Sequence, residues 1–269
     1  MSGTAWIAVP GTGGNMSETP MSRPGEVAGW PKLTVTYRTD PAGIEQVLPP
    51  GLTAGEPIVT VGVYCVPVLG EPEYGVSVKV PASWKDVSGQ YSLGLGIDQE
   101  AAIFISGETN GQPKYPCDIR FYRLGNRVEA RTIHQGYTFL EFEGDVTGAV
   151  EPKAGEYTEH EWWTKYSRAI GGAEKEYDFA PHVVDVATTF EQVHVEEIDG
   201  ELSLLDSPWD PVARYFPIVE QLSAQLVTNR MIDRQITNAG PLDPDAFWPM
   251  ADVISGSRWP GTRGGPRKP

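Results

Sequence analysis

Five stretches of this chain alternate apolar and polar residues with a period of two: LTVTYR from Leu33, IVTVGVYCVPV from Ile58, GVSVKV from Gly75, YSLGLGI from Tyr91 and DIRFYR from Asp118. Successive side chains of a strand leave on opposite faces, so this period specifies half-buried β-structure. RLGNR at residues 123–127 and EIDGE at 197–201 each put a glycine between alternating runs, which predicts hairpins and an antiparallel sheet. Two short helices interrupt the pattern. Asp40 is placed to cap PAGIEQVL, with Pro41 at the first helical position, where its missing N–H costs nothing, and Asp98 is placed to cap QEAAIFIS. IVEQLSAQLVT at 218–228 reads equally as helix or strand.

The predicted domain is single and mainly β (α+β), covering residues 30–254, with no linker long enough to divide it. Residues 1–29 are rich in Gly, Pro, Ser and Thr, and 255–269 are similar but basic, so both are expected to be flexible arms. With 269 residues, 40% of them apolar, the chain can build a substantial core. A net charge of −15 disfavours nucleic acid and anionic membranes as partners. No stretch approaches the roughly 20 apolar residues needed to cross a bilayer, and the N-terminus has no leader pattern, so a cytoplasmic location is expected. The two cysteines, Cys65 and Cys117, are too few for a disulfide framework and lack zinc-site spacing.

Several motifs are incomplete. PGTGGN at 10–15 lacks the Lys-Ser/Thr pair of a phosphate loop, and no GxSxG elbow occurs. His134, His160, His182 and His194 are scattered, so neither a metal nor a cofactor is expected. EHEWWTKYSRA at 159–169 is aromatic enough to line a ligand groove, but aromatics beside charges read first as an edge packing element.

The informative constellation is EPEYGVSVKV from Glu71 followed by YSLGLGIDQEAAIFISGETNGQPKYP from Tyr91. With YRTDPAGIEQVLPPGL at 37–52, it resembles the acetoacetate decarboxylase family over roughly residues 30–235. Tyr91, Asp98, Glu100, Ala102, Ile103, Glu108, Pro113 and Lys114 follow the family pattern without a gap, and DGELSLLDSPWDPVARYFPIVE at 199–220 weakly resembles its closing strands. The resemblance implies an antiparallel β cone or barrel with a flanking sheet and a few short helices. It also implies that Lys114 attacks a substrate ketone to form a Schiff base, with Glu73 as the acid/base, and that copies of the chain assemble as a homo-oligomer.

The chemistry can be stated from the residues alone. A lysine amine of ordinary pKa, about 10.4, is protonated at neutral pH and is no nucleophile. Burial or a neighbouring cation must favour its neutral form. The iminium then accepts electrons from a breaking C–C or α C–H bond.

Departures from the family matter here. Its second lysine is replaced by Tyr115, which either donates a hydrogen bond or packs; its substrate-side arginine falls near Trp30, with Lys32 a nearby substitute; and one of its two acids falls at Gly62. Lys114, Glu73, Tyr115, Gln112, Trp30 and Glu108 are therefore the expected site residues, Glu108 and Glu100 reading equally as structural. One lysine with one glutamate is a minimum set for iminium chemistry with proton transfer. The favoured expectation is a Schiff-base lyase, an aldolase or dehydratase (or hydratase), acting on a small pyruvate-like 2-oxo acid. Decarboxylation of a 3-oxo acid and a non-catalytic barrel that binds a small ligand are the alternatives.

Overall fold

The computed structural model describes residues 31–68, 71–252 and 259. The expected arms at 1–29 and 255–269, and Trp30, lie outside the described residues apart from Trp259. The first half of the chain forms β1 (Lys32–Arg38), α1 (Pro41–Val47), β2 (Leu52–Ala54), β3 (Ile58–Val68), β4 (Glu71–Trp84), β5 (Val87–Ile97) and α2 (Glu100–Asn110). It continues with β6 (Lys114–Pro116), β7 (Asp118–Leu124), β8 (Arg127–His134), β9 (Tyr137–Val150), β10 (Glu156–Arg168) and β11 (Tyr177–Leu204). The described chain closes with α3 (Val212–Tyr215), β12 (Glu220–Pro241) and α4 (Pro244–Ala251).

The strands pair in the order β10-β5-β4-β3-β1-β12-β11, and an additional pairing of β10 with β11 closes these seven into a ring, consistent with a cone. From β11 the sheet continues through β9, β8 and β7, a flank joined to the ring by the long strand β11. β10 meets β5 in parallel at Glu161–Gln90 and Trp162–Tyr91, and β6 lies parallel to the other end of β5.

Alternation divides the ring strands between two environments. Leu33, Val35 and Tyr37 of β1, Val59, Val61 and Val63 of β3, and Val76, Val78 and Val80 of β4 face one core, which also takes in Phe121, Phe139, Phe142, Phe216 and Phe247. The core therefore lies outside the ring, between its wall and the flanking sheet and helices. Fully burying side chains of this kind contributes about 1.5–3 kcal/mol each. The alternate positions, Lys32, Gly62, Tyr64, Glu73, Gly75, Ser77 and Lys79, face inward.

Local signals explain most elements. Asp40 caps α1 by accepting from the Ala42 N–H at 2.9 Å, as its sequence predicts. Asp98 does not cap α2. Its Oδ1 accepts instead from the Tyr74 N–H at 2.8 Å, Gln99 takes the N-cap position, and no side chain bonds there. EIDGE is not a turn either: residues 197–201 run straight through β11, with Gly200 opposite Gly144 of β9. A Cβ on Gly200 would lie 2.7 Å from the Gly144 Cα, so this glycine permits close strand approach. RLGNR does form the β7–β8 turn, with Gly125 in the left-handed region at φ 61°. The ambiguous stretch near 218–228 falls in β12 as strand.

Candidate active site

Lys114 reaches the interior because β6 is locked to β5. Leu95 N–H donates to the Pro113 carbonyl at 3.0 Å, and Cys117 N–H donates to the Ile97 carbonyl at 2.9 Å. Pro113 and Pro116 restrict the backbone on either side. Before them, α2 ends on Gly111, left-handed at φ 67°, whose N–H donates to the Gly107 carbonyl at 3.0 Å. Lys114 stands in register with Leu95, and Leu95 with Ser77. Its Nζ donates to Glu73 Oε2 at 2.9 Å, and the two side chains are only 6% and 3% exposed. The pair is thus held almost wholly out of water, amine nitrogen against carboxylate oxygen.

Tyr64 extends this pair. Its ring covers Gly75, where a Cβ would lie 2.2 Å from the Tyr64 Cζ, and its hydroxyl is hydrogen-bonded to Glu73. Burial, then the charges of Glu73 and Glu161, push the phenol far above its ordinary range, so it remains neutral and donates a hydrogen bond rather than a proton. Further along the same face, Lys79 of β4 is ion-paired with Glu161 of β10, and Trp163 Nε1–H donates to Glu161 Oε1 at 2.5 Å. Burial alone would raise the Glu161 carboxyl. Lys79, the Trp163 N–H and the Arg234 guanidinium overcome it and hold that carboxyl below its usual value.

Lys32 completes the lining. Burial first, and then the charge of Lys79, push its ammonium down to about 8, against the opposing pull of Glu159 and Glu161. β1 and β10 stand apart in the ring order, so the coupling of Lys32 to Glu161 is felt across the interior. Lys32 occupies the space left open by Gly62, where a Cβ would lie 2.1 Å from its Cε and 2.7 Å from its Nζ. Leu95 and Ile97 supply apolar wall beside Lys114, while Trp163, Val184 and Val186 form a separate apolar cluster.

The expected residues separate accordingly. Lys114 and Glu73 are brought together. Tyr115 is not beside Lys114's amine: adjacent strand residues leave on opposite faces, and Tyr115 is buried in the outer core with its ring 4.9 Å from His134. It packs in that core and faces away from the interior. Beneath it His134 Nδ1 and Asp210 Oδ2 form a buried 2.5 Å contact. Gln112 is half-buried in the turn, where its carbonyl accepts from the Lys114 N–H at 2.7 Å. Glu108 is exposed on α2, outside the pair.

Tyr64, Lys79, Glu161 and Trp163 were not expected from sequence. EHEWWTKYSRA is no edge element, since β10 lies within the ring between β5 and β11. The available signal was parity: Gly75, Ser77 and Lys79 share a strand face with Glu73, and Glu161 shares one with Trp163. Among the described residues, no cluster of three or more His, Cys, Asp and Glu is placed to hold a metal, and no helix is long and apolar enough to cross a membrane.

A closed sheet, apolar on its outer face and carrying a buried lysine–glutamate pair inside, is the class of architecture this chain defines. The particular family follows from comparison: the family model described as acetoacetate decarboxylase matches residues 9–238, and the chain belongs to that family. An acetoacetate decarboxylase of Chromobacterium violaceum is 36% identical over 84 residues, 30% of this chain and 34% of that protein. One from Streptomyces nogalater is 30% identical over 112 residues, 39% of this chain and 46% of that protein. The matched stretches thus span between a third and a half of those relatives' lengths.

Among solved structures, an acetoacetate decarboxylase superposes with TM-score 0.70 at 15% identity, covering 80% of this chain and 88% of that one. An acetoacetate decarboxylase-like enzyme from Sphingomonas wittichii RW1 gives 0.65 at 18% identity, covering 79% and 91%. The enduracididine biosynthesis enzyme MppR complexed with pyruvate gives 0.59 at 16% identity, covering 76% and 87%. These likenesses establish the shared fold.

Proposed function

We propose that this chain is a Schiff-base lyase acting on a small oxo acid, with Lys114 as the nucleophile and Glu73 as its proton carrier. The observation that carries the reading is the 2.9 Å contact of two side chains almost wholly withdrawn from water. Glu73 takes a proton from the Lys114 ammonium, and the freed amine adds to the substrate ketone to give a carbinolamine. Proton return from Glu73 to the carbinolamine oxygen releases water and leaves the iminium. Tyr64, hydrogen-bonded to Glu73, holds that carboxylate in place toward Lys114.

Aldol or dehydration chemistry on a pyruvate-like 2-oxo acid is the favoured outcome. Two facts support it over decarboxylation of a 3-oxo acid. Tyr115, where the resemblance sets a second lysine, is turned into the outer core, and position 62 is a glycine where a family acid is expected. The pyruvate complex of MppR, on the same fold, adds support by analogy. Exposed Met231, Ile232 and Ile236 on β12 support self-association into a homo-oligomer.

Borohydride reduction in the presence of pyruvate or acetoacetate tests the reading, with the adduct mapped by peptide mass. The expected result is a reduced adduct on Lys114, lost in Lys114→Ala while that variant's circular dichroism stays that of the parent. No adduct across a panel of ketones and oxo acids would leave the non-catalytic binding barrel as the better account. Product analysis of the same panel, carbon dioxide against a new C–C bond or lost water, separates decarboxylase from aldolase or dehydratase.

A further inference from the structure

A buried polar pair, His134 and Asp210, stands against the outer face of β6, where the Schiff-base step makes no use of it. β6 is three residues long and, among the described residues, pairs with β5 alone. A short strand with one neighbour is free to twist about its own axis. Lys114 and Tyr115 leave β6 on opposite faces, so whatever fixes the Tyr115 ring also fixes the direction of Lys114.

The contacts on that ring can be followed outward. Tyr115 lies across Gly96, its register partner on β5, where a Cβ would stand 3.0 Å from the Tyr115 Cζ. Its ring also meets the imidazole of His134 on β8, centroid to centroid at 4.9 Å. His134 Nδ1–H donates to Asp210 Oδ2 at 2.5 Å, and the Trp209 ring stands 5.6 Å from the same imidazole. Asp210 is itself anchored: its N–H and that of Trp209 each donate to Ser207 Oγ at 3.2 Å, and its carbonyl accepts from the Val212 N–H at 2.8 Å. Tyr115, His134, Ser207 and Asp210 are all buried. Apolar side chains of similar volume would fill this space at less cost than a hydrogen-bonded carboxylate and imidazole. What the polar pair adds is direction, because a hydrogen bond sets the plane of the imidazole and packing alone does not.

We propose that His134 and Asp210 are positioning residues for Lys114. Asp210 fixes the imidazole, the imidazole fixes the Tyr115 ring, and Tyr115, through the backbone of β6, keeps Lys114 Nζ against Glu73. The chemical role of Lys114 rests on the Schiff-base reading; its orientation by the pair does not.

The decisive variant on the full chain is His134→Phe/Asp210→Leu, which replaces the pair by apolar groups and is expected to fold at least as well as the parent in urea unfolding. Two readouts are taken: the rate of borohydride trapping on Lys114 with pyruvate or acetoacetate, and the NMR resonances of the Lys114 and Lys79 Nζ groups, assigned through their alanine variants. Trapping should slow by about tenfold to a hundredfold, as expected when a reacting group is misplaced from a distance. The Lys114 resonance should move while that of Lys79, paired with Glu161 elsewhere in the ring, stays in place. Asp210→Asn, whose amide oxygen still accepts from His134 Nδ1–H, should keep most of the parent's rate. In a Tyr115→Ala background, Asp210→Ala should add no further loss, since the link to Lys114 is already cut. Parent-like trapping with an unmoved Lys114 resonance in the double variant overturns the proposal, and so does a shift of both lysine resonances together, which marks general loosening. A Lys114 resonance that moves as expected in a protein that forms no adduct supports the positioning role and refutes the Schiff-base reading, so the two fail separately.

Discussion

Lys32→Met should make the protein more stable at neutral pH, although it removes a charge from the middle of the candidate site. The folded chain pushes the Lys32 ammonium from an ordinary 10.5 to about 8. At about 1.4 kcal/mol per pH unit this is on the order of 3 kcal/mol, and because Lys32 is only half-buried we take roughly 2–3 kcal/mol after screening. Below pH 8 the lysine is protonated in both folded and unfolded chains, and the folded state bears the whole cost of holding it. Between about 8 and 10.5 the unfolded chain binds more protons, so the parent gains stability as pH rises.

Lys32→Met has no such gain. Its advantage over the parent should be roughly 2–3 kcal/mol at pH 7, shrinking steadily toward pH 10. Urea unfolding of the two proteins across that range measures the difference directly. Tyr37, Tyr64 and Tyr91, all raised by burial, weaken both proteins alike at the alkaline end and cancel. A difference that stays constant with pH, or a variant less stable than the parent at pH 7, would refute the assignment of Lys32 as a cation held at a cost.

Two further perturbations follow from the same geometry. Glu161→Gln removes the carboxylate that balances Lys79 and is expected to cost roughly 2–4 kcal/mol in urea unfolding, with the protein remaining folded at neutral pH; a neutral effect would show that the pair carries no structural weight. Gly111→Ala places a side chain where φ is 67° and its Cβ 2.3 Å from the Thr164 carbonyl oxygen. It should cost roughly 2–4 kcal/mol and loosen α2 and β6 together, read as faster amide exchange at Leu95 and Cys117.

How much of this was legible in the sequence depended on which force decides each element. Period two located the wall strands because burial on one face is read directly from alternation, and Asp40 with Pro41 located α1 because a cap is a local event. Lys114 and Glu73 were legible through their ordered spacing within family motifs. Asp98 failed as a cap because the Tyr74 N–H competes for the same carboxylate. EIDGE failed as a turn because pairing with β9 outweighs the local preference of Asp-Gly. Glu161 and Trp163 were obscured for a different reason. In a closed ring both faces of a strand are enclosed, so EHEWWTK, charged on one face and aromatic on both, looks like an exposed edge until closure against β11 is known. Lys32 was legible only as a nearby substitute for the family's substrate-side arginine, and its place against Gly62 depends on strand pairing that sequence does not give.

The assignment of the outer face to the core and the inner face to polar chemistry leaves the two nearly independent. Thr34 and Thr36 on β1 and Thr60 on β3 lie on the inward parity beside Lys32, Gly62 and Tyr64, while Leu33, Val35, Val59 and Val61 hold the fold from the other side of the same backbone. Exchanging residues at the inward positions changes the polar lining of the ring without removing a methyl group from the core. Such a sheet acts as a two-sided template, in which one side can vary while the other continues to specify the same architecture.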